Sequence, residues 1–217
     1  MAQKFQKFVL RKMNLLRKCS SCRCPKGVAR RTQDRDINLI RNMEVRPCEW
    51  PHTPFMSEAG FYEEFTQFIT NAGLTNFLAD ECGQYYLLTN SFVQNFFFGN
   101  TPGAPIVCFD LYATSYELPL HEFCEICLLP SDGGMREPRP EEFEDFLQTL
   151  TVGETRGISH ARATSLQFPS MHYFSLFIGK CITAMEQGGG LSAPTLAILC
   201  RALYGDNTYN IGALFAR

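Results

Sequence analysis

The chain has 217 residues, a formal net charge of −2, and 19 Phe set at periodic positions, a composition that excludes a wholly disordered chain and suffices for one good core. The small net charge conceals a split: residues 1–46 carry thirteen Lys and Arg against three acids, a balance of +10, and the other 171 carry seven against nineteen, a balance of −12. No apolar run has the length of a signal-peptide core or a membrane span, so the ten cysteines are expected as reduced thiols of an intracellular protein, in cytoplasm or nucleus.

In chain order, Lys4 to Lys18 places Phe5, Phe8, Val9, Met13 and Leu16 on one side and Lys7, Arg11, Arg17 and Lys18 elsewhere, the pattern of a basic amphipathic helix. No acid occurs before Asp34. Three readings of this arm stand. It is a partly disordered solubilising tail, or a patch for phosphates or nuclear import, or an organelle transit peptide that is Arg-rich but poor in Ser. On the second reading, Lys12, Arg17, Lys18, Arg23, Lys26, Arg30 and Arg31 are the candidate nucleic-acid contacts, because Lys and Arg neutralise phosphates without needing a fixed fold.

Cys19 and Cys22 have the spacing of a metal-binding pair, and Cys48 with His52 offers a second. Gly27, Val28 and Ala29 stand where a zinc knuckle would need a histidine, so unpaired thiols are the preferred reading and no metal is assigned.

Pro47, Pro51 and Pro54 mark the boundary between a basic arm, 1–46, and a body, 47–217. Phe61, Phe65, Phe68, Ile69 and Ala72 form one helix face; Gly73 is its expected left-handed stop, with Leu74 folding back. Tyr85, Leu88, Phe92, Val93 and Phe96 make a second stripe, and Gly99 to Pro105 reads as a loop.

Ile106 to Gly134 is the architectural hub. Val107, Phe109 and Leu111 alternate with polar neighbours as a strand does; Ala113 to Ser115 reads as the turn, and Tyr116 to Leu118 as the return strand. Pro119 then takes the first position of a helix whose Leu120, Phe123, Cys124 and Cys127 share one face.

Pro140 opens another helix with Glu141, Glu142, Glu144 and Asp145 near its start and Phe143, Phe146, Leu147 and Leu150 facing inward. The cleanest stripe is Phe174, Phe177, Ile178, Cys181, Ile182 and Met185. Ser192 caps the following helix, which carries Leu196, Leu199, Cys200 and Leu203 before Gly205. The chain ends in Ala213 to Arg217, the opening of a helix with too few residues to bury a stripe, and a truncated body is expected. The fold class is therefore mainly α with a minor β part: a multi-helix globular body with one small β-hairpin, preceded by the arm.

Catalytic patterns are absent. Cys124 and Cys127 lie one turn inside a helix on its apolar side, unlike a redox pair at a helix start. His121, His160 and His172 have no Ser or Cys and carboxylate in motif spacing, and Gly188 to Gly190 lacks the Lys-Ser/Thr of a phosphate loop. The acids from Glu141 to Asp145 read as a solvated helix start rather than a metal site. No cofactor and no small-molecule substrate is expected.

The body resembles the first-reading-frame, gag-like proteins of plant long-terminal-repeat retrotransposons of the Athila type. The likeness is carried by FYEEFTQFITNAGLTNFLADE (Phe61–Glu81), QYYLLTNSFVQNF (Gln84–Phe96), VCFDLYATSYELPLHEFCEICLLPSDG (Val107–Gly133), EPRPEEFEDFLQTLTVGETRG (Glu137–Gly157), FPSMHYFSLFIGKCI (Phe168–Ile182) and LSAPTLAILCRALYGDNTYNIGALFAR (Leu191–Arg217). The strand, turn, strand, helix and Leu-Pro-x-x-Gly core is also similar to the retrotransposon-derived plant mobile domain. The likeness covers about residues 55–217 and leaves the arm outside. The first reading is a non-enzymatic protein of transposon origin whose body self-associates or binds protein and whose basic arm, residues 1–46, contacts RNA or DNA; no membrane span is expected. The alternative is a domesticated or degenerate protein-interaction module with no nucleic-acid role; an enzyme using Cys124 and Cys127 or a zinc site is the third reading.

Overall fold

A computed structural model describes residues 51–79, 92, 95–101, 104–111, 114–151, 161–183 and 190–216. The helices among them are α1 (Thr53–Glu58), α2 (Tyr62–Asn71), α3 (Thr75–Ala79), α4 (Leu120–Cys127), α5 (Glu144–Leu150), α6 (Pro169–Cys181), α7 (Ala193–Tyr204) and α8 (Ile211–Ala216). The strands are β1 (Phe97–Thr101), β2 (Ala104–Leu111) and β3 (Thr114–Pro119). Mainly helical with a small sheet is the architecture expected. The described residues divide between two compact units, one built around the sheet and α4, the other containing residues 51–79 and 129–215.

In the first unit the sheet is antiparallel, in the order β1-β2-β3. Phe109 pairs with Tyr116 and Val107 with Leu118, so their side chains share a face, and all four are buried. The Phe109 and Tyr116 rings stack at 5.3 Å with an interplanar angle of 15°. Phe92 packs on Phe109 at 5.2 Å and Phe96 on Phe123 at 5.9 Å. Leu120, Phe123, Cys124 and Cys127 of α4 are buried, as their spacing predicts.

Three details of this hub differ from the expectation. Gly99 to Pro105 is a hairpin rather than a loop: Phe97 to Thr101 pairs with Cys108 to Ala104. Gly and Asn have poor strand propensity, and here the backbone of β2 supplies the pairing that the local sequence does not advertise. Thr114 already pairs with Leu111, which moves the connection forward from Ala113–Ser115 to Tyr112 and Ala113, outside the described residues. Pro119 ends β3 opposite Ile106 and caps α4 in an extended conformation, so Leu120 is the first helical residue. A proline has no N–H to give to the ladder, and the last residue of an outer strand tolerates that loss.

The second unit is organised around α2, α6 and α7. Phe65 meets Tyr173, Phe174 and Phe177 edge-on at 5.7, 6.1 and 6.1 Å, and Phe68 meets Phe174 at 5.6 Å. Burying such a ring stabilises the fold by roughly 2–3 kcal/mol. Asn71 Nδ2 donates to the Ala202 carbonyl at 2.8 Å, tying the end of α2 to α7. α2 stops as predicted: Gly73 has φ +74°, the Leu74 N–H reaches the Ile69 carbonyl at 2.9 Å, and Leu74 is buried. A side chain with Cβ would be strained at that φ. Ser192 Oγ accepts from the Thr195 N–H at 3.2 Å and caps α7.

Three further outcomes concern this unit, and a fourth the first. α1 and α3 are short helices absent from the periodicity reading; α1 is made possible by the His52 side-chain cap and Pro54 in its first turn. The helix opened by Pro140 begins as a 3-10 turn over Pro140–Phe143 before α5. The last helix does bury its stripe: Ile211, Ala213, Leu214 and Ala216 are all buried, and Asn210 Oδ1 caps it through the Ala213 N–H at 2.8 Å. The stripe from Tyr85 to Phe96 lies outside the described residues apart from Phe92 and Phe96.

Candidate interaction surface

Lys12, Arg17, Lys18, Arg23, Lys26, Arg30 and Arg31 lie outside the described residues, as do Cys19, Cys22, Cys48 and His160. His52 is described: its Nδ1 accepts from the Phe55 N–H at 3.1 Å and its own N–H donates to the Tyr173 hydroxyl at 3.0 Å. One ring nitrogen is thus committed to capping α1. Among the described residues no group of three or more His, Cys, Asp or Glu has the arrangement to hold a metal ion.

Cys124 and Cys127 are both buried thiols. Burial pushes the Cys124 thiol up to about 11, which a backbone hydrogen bond only partly offsets. A thiol in that state is protonated at neutral pH and a poor nucleophile. The Cys200 thiol is also raised, first by burial and then by Asp206, whose Oδ2 lies 3.9 Å from Sγ.

Among the described residues a polar arrangement joins two segments distant in sequence, Pro130–Glu142 and Arg201–Asn210. Gly134 forms a bridge with Tyr209: its N–H donates to the Thr208 carbonyl at 3.0 Å and its carbonyl accepts from the Asn210 N–H at 2.9 Å. Backbone approaches backbone so closely that a Cβ on Gly133 would sit 2.6 Å from the Tyr209 oxygen, and one on Gly134 2.6 Å from the Thr208 oxygen. Gly133 also has φ +104°. The Leu-Pro-Ser-Asp-Gly-Gly run is therefore a contact sequence: it needs the absence of side chains on both glycines.

Two ion pairs flank this contact. Arg201 is buried and its Nη2 donates to Asp132 Oδ1 at 2.9 Å. Arg136 Nη1 donates to Glu142 Oε1 at 2.6 Å, and the Tyr209 hydroxyl donates to the other oxygen of the same carboxylate. Arg136 also lies over the Tyr209 ring, with Cζ 5.0 Å from the centroid. Glu141, Glu142, Glu144 and Asp145 are all exposed, and Glu142 in addition serves a protein network.

From Tyr209 a row of rings runs outward. Phe143 lies 5.9 Å from Tyr209, Phe146 lies 6.5 Å from Phe143, and Tyr204 lies 5.8 Å from Phe146. Phe143 and Tyr209 are buried, Phe146 is half-buried, and Tyr204 is 67% exposed. Sequence reasoning gave Phe143 and Phe146 to the core and left Tyr204 and Tyr209 unassigned. The row joins α5 to the end of α7 and to the segment after it, a pairing that no local spacing announces.

The family model described as ATHILA ORF-1 family matches residues 23–206. Its limits differ from the likeness read on segments over residues 55–217. It begins inside the basic arm, taking in Arg23, Lys26, Arg30 and Arg31, leaving out Lys12, Arg17 and Lys18, and stopping short of Asn207 to Arg217. No curated protein and no solved structure matches the chain.

Proposed function

The chain belongs to the ATHILA ORF-1 family, and from that premise we propose that this retrotransposon-derived protein is a non-enzymatic, gag-like component with two tasks. Its basic arm binds RNA or DNA, and its acidic body self-associates or binds protein. The observation that carries this reading is the charge split, +10 over residues 1–46 against −12 over the remainder. Phosphate affinity then resides in the arm, because the body's surplus of carboxylates repels a polyanion. Arg23, Lys26, Arg30 and Arg31 lie within the family match, which supports treating that part of the arm as belonging to the protein's shared design.

The test compares the full chain with one in which Lys12, Arg17, Lys18, Arg23, Lys26, Arg30 and Arg31 are all changed to Gln. Fluorescence anisotropy with a single-stranded RNA and a DNA duplex, across a salt series, reads the affinity. The parent binds with a steep salt dependence, and the substituted chain loses up to about 5 from the slope of log K against log salt on RNA. Equal affinity and equal slope for both chains would remove the nucleic-acid role and leave a protein-interaction module in its place.

A further inference from the structure

Among the described residues of the second unit, Tyr204 is an exposed ring that continues a partly buried row in an acidic stretch of sequence. Tyr204 ends α7, stands 67% exposed, and touches Phe146 of α5 at 5.8 Å. The segment Pro140–Leu150 that presents Phe146 contains Glu141, Glu142, Glu144 and Asp145 and no Lys or Arg, and Asp206 follows Tyr204 by two positions. The opposite end of the same row already shows what such a surface accepts. There the Arg136 guanidinium lies over Tyr209 with its Nη1 on Glu142. A planar cation satisfies ring and carboxylate together, which an ammonium does less well.

We propose that the Tyr204–Phe146 end of the row receives arginines from the basic arm of a second copy of this chain, with Arg23, Arg30 and Arg31 as the donors. This rests on the self-association reading above and gives it a surface and a chemistry. Charge complementarity selects the occupant: every charged residue of the segment bearing Phe146 is acidic, and the chain's own cations are concentrated in residues 1–46. A nucleic acid is disfavoured there because the charged residues of Pro140–Leu150 are all acidic and repel phosphates. Stacking of guanidinium on an exposed tyrosine, reinforced by a carboxylate, makes the association sensitive both to salt and to the shape of the cation.

The experiment is sedimentation velocity on nuclease-treated, nucleic-acid-free full-length protein at low and high salt. The parent sediments as a dimer or larger species at low salt and dissociates at high salt. Tyr204→Ser and Asp145→Lys each weaken association about tenfold, as does the pair Arg30→Lys with Arg31→Lys, which keeps charge and loses the planar fork. Phe55→Ser, at a ring 50% exposed on α1, leaves it unchanged. Thermal melts matching the parent show that the substituted chains fold, and if Tyr204→Ser fails to fold, Asp145→Lys and the arginine pair decide. Association that persists unchanged in those variants overturns this surface while self-association stands. A parent that stays monomeric at every salt concentration overturns both.

Discussion

Arg136 and Tyr209 hold the same carboxylate. The guanidinium lies 5.0 Å above the tyrosine ring, its Nη1 takes one oxygen of Glu142 at 2.6 Å, and the tyrosine hydroxyl takes the other. Tyr209 and Glu142 are 67 positions apart, so this triad fastens the segment after α7 onto the 3-10 turn that precedes α5. The Gly134–Tyr209 bridge lies beside it, and together they define how the last part of the second unit closes.

Removing the tyrosine hydroxyl separates the parts of that triad. Tyr209→Phe keeps the ring beneath Arg136 and deletes one donor to Glu142, at a cost of about 1 kcal/mol. Tyr209→Leu also loses the stacking and costs roughly a further 0.5–1 kcal/mol. Urea unfolding of both variants reads the difference. Because Arg136 is itself well exposed, added salt should narrow the second increment more than the first.

The two glycines of the Leu-Pro-Ser-Asp-Gly-Gly run should tolerate nothing larger. Gly134→Ala drives a Cβ against the Thr208 oxygen, and Gly133→Ala meets the Tyr209 and Asn207 oxygens at a left-handed φ, so each should cost more than about 2 kcal/mol. Gly60→Ala is the control, with φ +78° and open space around the added carbon. It should cost only the conformational penalty of about 1 kcal/mol. Equal losses at Gly60 and Gly134 in urea melts would show that close approach is not what selects glycine at 134.

Asp132 is expected to matter more than its exposure implies. Its partner Arg201 is 7% exposed and is anchored through Nη2, with Nε and Nη1 buried and lacking hydrogen-bond partners. Asp132→Ala leaves that guanidinium without its counter-charge, and the half-exposed carboxylate limits the loss to about 1–3 kcal/mol. Replacing Arg201 by Met in the Asp132→Ala background should recover part of it. A double-mutant cycle by chemical denaturation measures the coupling.

Cys124 sets a pH window. Its thiol is pushed from 9.0 to about 11 in the folded chain, so the folded state retains the proton where the unfolded state has released it. Stability from this residue is fully present below pH 9.0 and is lost as pH rises from there towards about 11. Cys124→Ala should flatten the alkaline limb of the stability curve measured by urea unfolding. In the native chain at neutral pH, Cys124 should resist alkylation by iodoacetamide until the protein is unfolded, as mass spectrometry of the labelled peptide would show.

What the sequence determined by itself is what local physics governs. The stripe of α2 and its stop at Gly73 with Leu74 folded back were legible because a helix end is decided within six residues. The Ser192 cap, the buried face of α4 and the pairing of Phe109 with the returning Tyr116 strand follow from the same short-range rules. The charge split is likewise a property of the chain, independent of its fold. Tertiary structure alone decided the rest. Phe97–Thr101 is a strand only because β2 offers its backbone, and the glycines at 133 and 134 are required only because residues 207–209 arrive against them. The acidic cluster read as a solvated helix start, and Glu142, exposed there, also receives Arg136 and Tyr209. A residue's own neighbours in sequence can specify a period, a cap or a turn. They carry no information about which carbonyl, ring or cation will come across from a segment 67 positions away, and that contact is what turned a polar run into a fastening.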